Sequence, residues 1–166
     1  YSLGLNNVLI ENKIEDILYF DKTLTETDFL EKINNIESAI KATLIYVSNY
    51  EALLLELENF IYATPFNTMQ KAALIPLVSS NFVDEKKENY TLELEFYDFS
   101  KQYIMLIKDS NWQINDDDLI VFAKKSDLDN YSQIMDEIDR IATRQEQIAE
   151  NYQETLEQEM TKLRNL

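Results

Sequence analysis

The sequence predicts an α+β domain, predominantly helical, in which long helices, one of coiled-coil character, carry a small three-stranded antiparallel meander. Three observations predict it. Apolar residues recur at spacings of three and four through residues 1–80, the period falls to two between 90 and 96, and residues 127–165 hold neither Gly nor Pro while carrying a heptad seam. The expected organisation is one domain, helical over 1–80, sheet over 90–124 and one long helix over 126–166.

Val8, Ile10, Ile14, Ile17 and Leu18 lie on one face of a period-3.6 helix, with a short strand over 8–10 as the competing reading. Thr25 followed by Asp28 is a capping-box pattern, in which a side-chain oxygen accepts the free amide hydrogens of a new helix. Behind it Phe29, Leu30, Ile33, Ile36, Ile40, Leu44 and Val47 form an apolar stripe. Ser48 with Glu51 either caps a second helix or sits inside one helix that runs to about 62, and both readings stay open. Thr64-Pro65 marks a boundary, with Pro65 at the first position of a shorter helix that Pro76 kinks or ends. Residues 81–89, rich in Asp, Glu and Lys, are expected to be an exposed connection.

From Tyr90 on, Leu92, Leu94 and Phe96 alternate with Thr91, Glu93 and Glu95, the pattern of a strand with one buried face. Residues 103–107 and 119–123 are the second and third expected strands. Asp98, Ser100, Asp109, Ser110 and 115–118 would supply the turns, because Gly4 is the only glycine in the chain. Links this short allow antiparallel pairing and leave no room for parallel crossovers.

Ser126 with Asp129 is another capping-box pattern, opening the last helix. Leu128 precedes a seam of Tyr131, Ile134, Ile138, Ile141, Ile148 and Tyr152, with polar Gln145 where an apolar residue is due; the step to Leu156 then changes, as in a stutter. At 1.5 Å per residue this helix would run about 60 Å, longer than the ~40 Å diameter of a compact globule of this size. It must therefore pair along its length, either antiparallel with the other long helix of the same chain or with a second chain.

Composition excludes whole classes of chemistry. The 166 residues include no Cys and no His, so there is no thiol nucleophile, no serine–histidine pair and no zinc finger. One glycine leaves no phosphate-cradling loop and no dinucleotide fingerprint. Asp116-Asp117-Asp118 is the dense acidic cluster, but the surrounding calcium-loop pattern fails where geometry is strictest: Ile114 stands where glycine is needed and Ile120 where a bidentate glutamate is needed. The cluster therefore reads as a solvated turn. No carboxylate pair is singled out for acid–base work, and no cofactor is expected.

Trp112, Tyr97, Phe99 and Tyr103 read as core or cross-strand aromatics, not as a base-stacking platform, and Lys124-Lys125 is the only basic pair near them. Fifteen basic against 31 acidic residues give a formal charge of −16, which opposes direct binding of nucleic acid. No apolar run reaches the ~20 residues that cross a bilayer. The chain opens on Tyr1, so the lack of a signal peptide carries no information on compartment.

The functional expectation is a non-enzymatic protein–protein interaction or assembly subunit. Its long C-terminal helix would dock, on the chain itself or on a partner, through Leu128, Tyr131, Ile134, Ile138, Ile141, Ile148, Tyr152 and Leu156. The alternative is an acidic inhibitor or immunity-type protein, or a DNA mimic, that blocks a basic nucleic-acid-handling partner. Its face would be Glu146, Glu150, Glu154 and Glu157, a row that advances about 6 Å per step.

Overall fold

The computed structural model describes residues 2–11, 13–20, 23–79, 81–116 and 119–164. Helix α1 (Ser2–Glu11) and a 3-10 turn (Ile14–Asp16) precede helix α2 (Glu26–Ala63), the short helices α3 (Thr68–Leu74) and α4 (Pro76–Ser79), and helix α5 (Asn81–Asp109). A hairpin, β1 (Trp112–Ile114) and β2 (Ile120–Phe122), leads to helix α6 (Lys125–Arg164). The protein is thus predominantly helical with a small antiparallel sheet.

The three-stranded meander is replaced by two strands, and the correction falls on α5. Residues 90–96 and 103–107, expected as strands, and 81–89, expected as a connection, are one helix. The physical reason lies in the seven-residue spacing of Val83, Tyr90, Tyr97 and Ile104, all buried. The companion positions three residues on are Lys86, Glu93, Ser100 and Ile107. Three polar residues of four hid the heptad, and the short alternation at 92–96 stood out in its place. Of the expected strands only the third survives, as β2, pairing with β1 in the register Trp112↔Phe122, Gln113↔Val121 and Ile114↔Ile120.

Other local signals fare variously. Thr25 caps α2 as expected: its backbone amide donates to Asp28 Oδ2 at 2.6 Å, and the Asp28 amide donates back to Thr25 Oγ1 at 3.4 Å. The Thr25 hydroxyl also donates to Asp28 Oδ2, at 2.7 Å, and this bond, with that from the Thr25 amide, holds the Asp28 carboxyl below its ordinary range. Ser48 and Glu51 lie inside a single unbroken α2. The Thr64-Pro65 boundary ends α2, but α3 starts three residues after Pro65, capped by a reciprocal pair in which the Gln70 amide donates to Asn67 Oδ1 and the Asn67 amide to Gln70 Oε1. Pro76 takes the first position of α4, where its missing N–H costs nothing. Helix α6 begins at Lys125, so Ser126 lies within its first turn and does not cap it. Between α1 and the 3-10 turn the chain reverses at Lys13 with φ 50°, a left-handed position taken without a glycine. The 8–10 stretch belongs to α1.

The chain divides into two compact units. Unit 1 comprises 1–43 and 93–141, and unit 2 comprises 44–92 and 142–166. In unit 1, Lys101–Glu37 (2.6 Å) and Lys108–Glu26 (3.5 Å) set α5 antiparallel to α2. Arg140–Glu95 (2.8 Å) and the Tyr103–Tyr131 ring contact (5.8 Å) set α5 antiparallel to α6. Helices α2 and α6 therefore run parallel there, not antiparallel as the sequence suggested, because α5 supplies the return. The core of unit 1 holds Ile17, Phe20, Phe29, Ile36, Tyr97, Ile104, Ile107, Ile134 and Ile138, with Phe20 stacked on Phe29 and edge-on to Tyr103. The Lys32 ammonium lies over the Phe20 ring and donates to the carbonyls of Asp16 and Ile17, closing the end of the 3-10 turn.

Unit 2 is built differently. Its buried apolar side chains are Ile61, Val83, Tyr90, Leu92 and Ile148. Around them Tyr46, Tyr50 and Tyr90 meet ring to ring, and the Lys86 ammonium lies over both Tyr50 and Tyr152. Arg144 grips Glu88 with two bonds of 2.7 and 2.9 Å.

Candidate functional site

The seam of α6 is covered within each unit by the chain's own helices. In unit 1, Ile134 and Ile138 belong to the core cluster, Ile141 is fully buried, and Tyr131 is half-buried against Tyr103 and Phe122. Leu128, one turn earlier, is exposed. In unit 2, Ile148 is buried and Gln145 half-buried, while Tyr152 rests under Lys86. The side chain of Leu156 lies outside the described residues. The apolar stripe is thus spent on α2 and α5.

The acidic row is where the sequence placed it. Glu146, Glu150, Glu154 and Glu157 are all exposed on the part of α6 that belongs to unit 2, and Glu157 accepts a hydrogen bond from Gln153 at 2.8 Å. Arg144 beside the row is turned toward Glu88, whose carboxyl it holds low by hydrogen bonding.

The acids and aromatics weighed for chemistry are dispersed. Asp116 is exposed in the loop joining β1 to β2, and Asp117 and Asp118 lie outside the described residues. Among the described residues no group of three acids is placed to hold a metal ion. Tyr97, Phe99 and Tyr103 stand on α5 and Trp112 on β1, and all four are taken up by the core of unit 1, Tyr97 and Tyr103 buried in it and Phe99 and Trp112 half-buried against it. Unit 1 does contain a carboxylate with a shifted proton affinity. Burial pushes the Glu93 carboxyl up against the opposing pull of a 2.6 Å hydrogen bond donated by Tyr97, and burial likewise pushes the Tyr97 phenol up. Tyr97 is a core residue, and neither side chain lines the α5–α6 groove of unit 1. That groove, of about 600 Å³, runs between Phe99, Met105 and Leu106 of α5 and Asn130, Gln133 and Ile134 of α6.

The surface feature the sequence reading missed is the outer side of α2 in unit 2. Leu44, Ile45, Leu53, Leu55, Leu57, Phe60 and Tyr62 are exposed, Leu55 and Phe60 at 60% and 61%. At 100° per residue Leu44, Leu55 and Tyr62 form one row and Leu53 and Phe60 another, with Ile45 and Ala52 between them. The inward side of the same stretch carries half-buried Val47, Tyr50 and Leu54 and buried Ile61. The two rows stand on opposite flanks of the helix, about 140° or more apart, and Ser48, Asn49, Glu56 and Asn59 also fall between them. The signal was in the sequence: this stretch holds more large apolar residues than one helical face can take. Yet no helix among the described residues is long and apolar enough to cross a membrane. Glu51, Glu56 and Glu58 interrupt the run.

Comparison with protein-family models, with curated proteins and with solved structures finds no match.

Proposed function

We propose that this protein is a non-enzymatic interaction or assembly subunit that docks through the exposed apolar residues of α2 in unit 2. The observation that carries the reading is the cluster of exposed Leu44, Ile45, Leu53, Leu55, Phe60 and Tyr62 on one helix. Large apolar side chains left exposed in number along one helix, on both its flanks, support an interaction role more than singly scattered ones do. The α6 seam, first expected to be the docking element, contributes indirectly. Its Ile148 and Tyr152 help build the body of unit 2 to which the α2 stretch belongs.

The test is photo-crosslinking in the cells that make the protein, with a benzophenone amino acid at position 55 or, as a control, at position 143, which is also exposed. A discrete adduct from position 55, lost in a Phe60→Glu background and missing from position 143, is the expected result. Equal labelling from both positions, or none from position 55, would sink the reading.

The second reading, an acidic inhibitor or immunity-type protein, is favoured by the uniform exposure of Glu146, Glu150, Glu154 and Glu157. It expects capture of a basic nucleic-acid-handling partner with affinity that falls steeply with salt, and loss of that capture when Glu146, Glu150 and Glu154 are reversed to Lys together.

A further inference from the structure

We infer that copies of this chain join head to tail through unit 2, the Leu53–Leu57–Phe60 stripe of one α2 seating Phe60 in the groove beside Leu55 of the next; the inference rests on the docking reading above. Both halves of the contact lie on the same helix. Leu53, Leu57 and Phe60, all exposed, stand at i, i+4 and i+7 on one flank, the spacing by which a helix presents anchors to a groove. On the other flank Leu55 lines a groove of about 240 Å³ with half-buried Leu54 and Val78, buried Val83 and the Glu51–Lys87 ion pair of 3.0 Å. That volume lies below the roughly 300–1,000 Å³ of small-molecule sites and suits a single large side chain. Glu58 and Asp84 complete the lining, and carboxylates there would meet the positive edge of an aromatic ring.

The placement of the two halves fixes the mode of assembly. Leu55 and Phe60 stand about 140° apart round α2, so the neighbour that receives Phe60 is not the neighbour that fills the groove. Such a contact is heterologous: it does not set a patch against itself, and it propagates into a ring or an open row of copies. A basic side chain of another protein would also suit the acids of the groove, but it would leave the Leu53–Leu57–Phe60 stripe bare. A second copy covers both. Chains of formal charge −16 repel one another, and salt screens that repulsion while leaving apolar contact intact. Assembly should therefore strengthen with salt, the opposite of capture of a basic partner.

The experiment is sedimentation velocity of the full chain over a range of concentrations at low and high salt, with Phe60→Glu, which breaks the anchor, and Leu55→Glu, which breaks the groove. The parent is expected to form species larger than a dimer as concentration and salt rise. Each variant alone should weaken assembly roughly tenfold or more. Mixed in equal amounts, the two variants should form a dimer and stop there, because Phe60→Glu still offers a groove, Leu55→Glu still offers an anchor, and the other two halves are broken. Both positions are exposed, and unchanged circular dichroism checks that each variant folds. Leu55→Gln replaces Leu55→Glu if that variant loses helix.

A parent dimer that stops at two, dissolved by Phe60→Glu and not restored by mixing, would make the contact two-fold and overturn the inference while leaving the docking reading standing. Assembly that neither variant weakens would place the contact elsewhere and overturn it as well. So would a chain that stays monomeric at every concentration and salt. Crosslinking from position 55 then judges the docking reading separately: an adduct with a different protein keeps it, and no adduct removes it.

Discussion

Units 1 and 2 draw on the same three long helices and use their apolar residues in opposite ways. Unit 1 puts them inside: aliphatic and aromatic side chains from α1, α2, α5, α6 and the hairpin interlock, and its exposed large apolar residues, such as Ile10, Tyr19, Leu30, Met105 and Leu128, are scattered over several elements. Unit 2 has a small buried set, tyrosines steadied by Lys86, and an Arg144–Glu88 fork, while it gathers its exposed apolar residues on one stretch of α2. Scattered exposure is the ordinary state of a protein surface; such a concentration along one helix is not. The difference teaches that apolar content by itself does not measure a core. Residues 44–63 are rich in Leu, yet contribute to folding through one side only.

The largest effect should come from Ile138→Asp, which places a charge in the core of unit 1. Loss of cooperative melting, or more than about 4 kcal/mol of stability, is expected from such a change. A circular dichroism melt that matched the unaltered chain would break the comparison outright. Next comes Ile104→Ala, at a position of 0% exposure, which should cost about 2–5 kcal/mol by urea denaturation, since it removes buried methyl groups and leaves a cavity.

A smaller effect, with a defined sign, is expected at Glu93. Because burial raises its carboxyl above the ordinary value, the native chain holds the proton more tightly than the unfolded one. The contribution is therefore present at low pH and declines as pH rises from the ordinary glutamate value, about 4.3, through the raised native one. Glu93→Gln keeps an acceptor for Tyr97 and should remove that decline. Glu88 in unit 2 has the opposite sign: its carboxyl is held low by Arg144, so its contribution is present at neutral pH and is lost as pH falls through the lowered value. Urea titrations from about pH 2 to 7 should therefore show Glu93→Gln departing from the parent above the ordinary glutamate value and Glu88→Gln below it, with opposite slopes, and parallel departures would contradict the two environments.

The smallest effect sharpens the contrast most. Phe60→Ala, on the outer face of α2, should shift stability by no more than about 0.5 kcal/mol, where a buried Phe would cost 3–5 kcal/mol. A loss in the upper range would mean that the chain itself covers this face.

The predominantly helical class, the cap at Thr25, the break at Thr64-Pro65, the strand at 120–122 and the unbroken α6 all follow from local chemistry. A capping oxygen, a missing amide hydrogen or a Gly/Pro-free heptad acts within a few residues, so the sequence by itself determined them. The exposure of Glu146, Glu150, Glu154 and Glu157 was legible for the same reason, since charges off the apolar seam face solvent. Helix α5 was not legible. Lys86, Glu93 and Ser100 occupy its inward positions, and only neighbours from other helices make them acceptable there: the Tyr50 and Tyr152 rings for Lys86, and the packed surroundings of Tyr97 for Glu93. Tertiary structure likewise decided where α6 spends its seam, because a heptad states that an apolar stripe must be covered without stating by what. It also decided which side of residues 44–63 stays bare. With apolar residues on both flanks of that stretch as well as inward, no single stripe marks the buried side, and the packing of Val47, Tyr50, Leu54 and Ile61 within unit 2 is what leaves Leu55 and Phe60 outside.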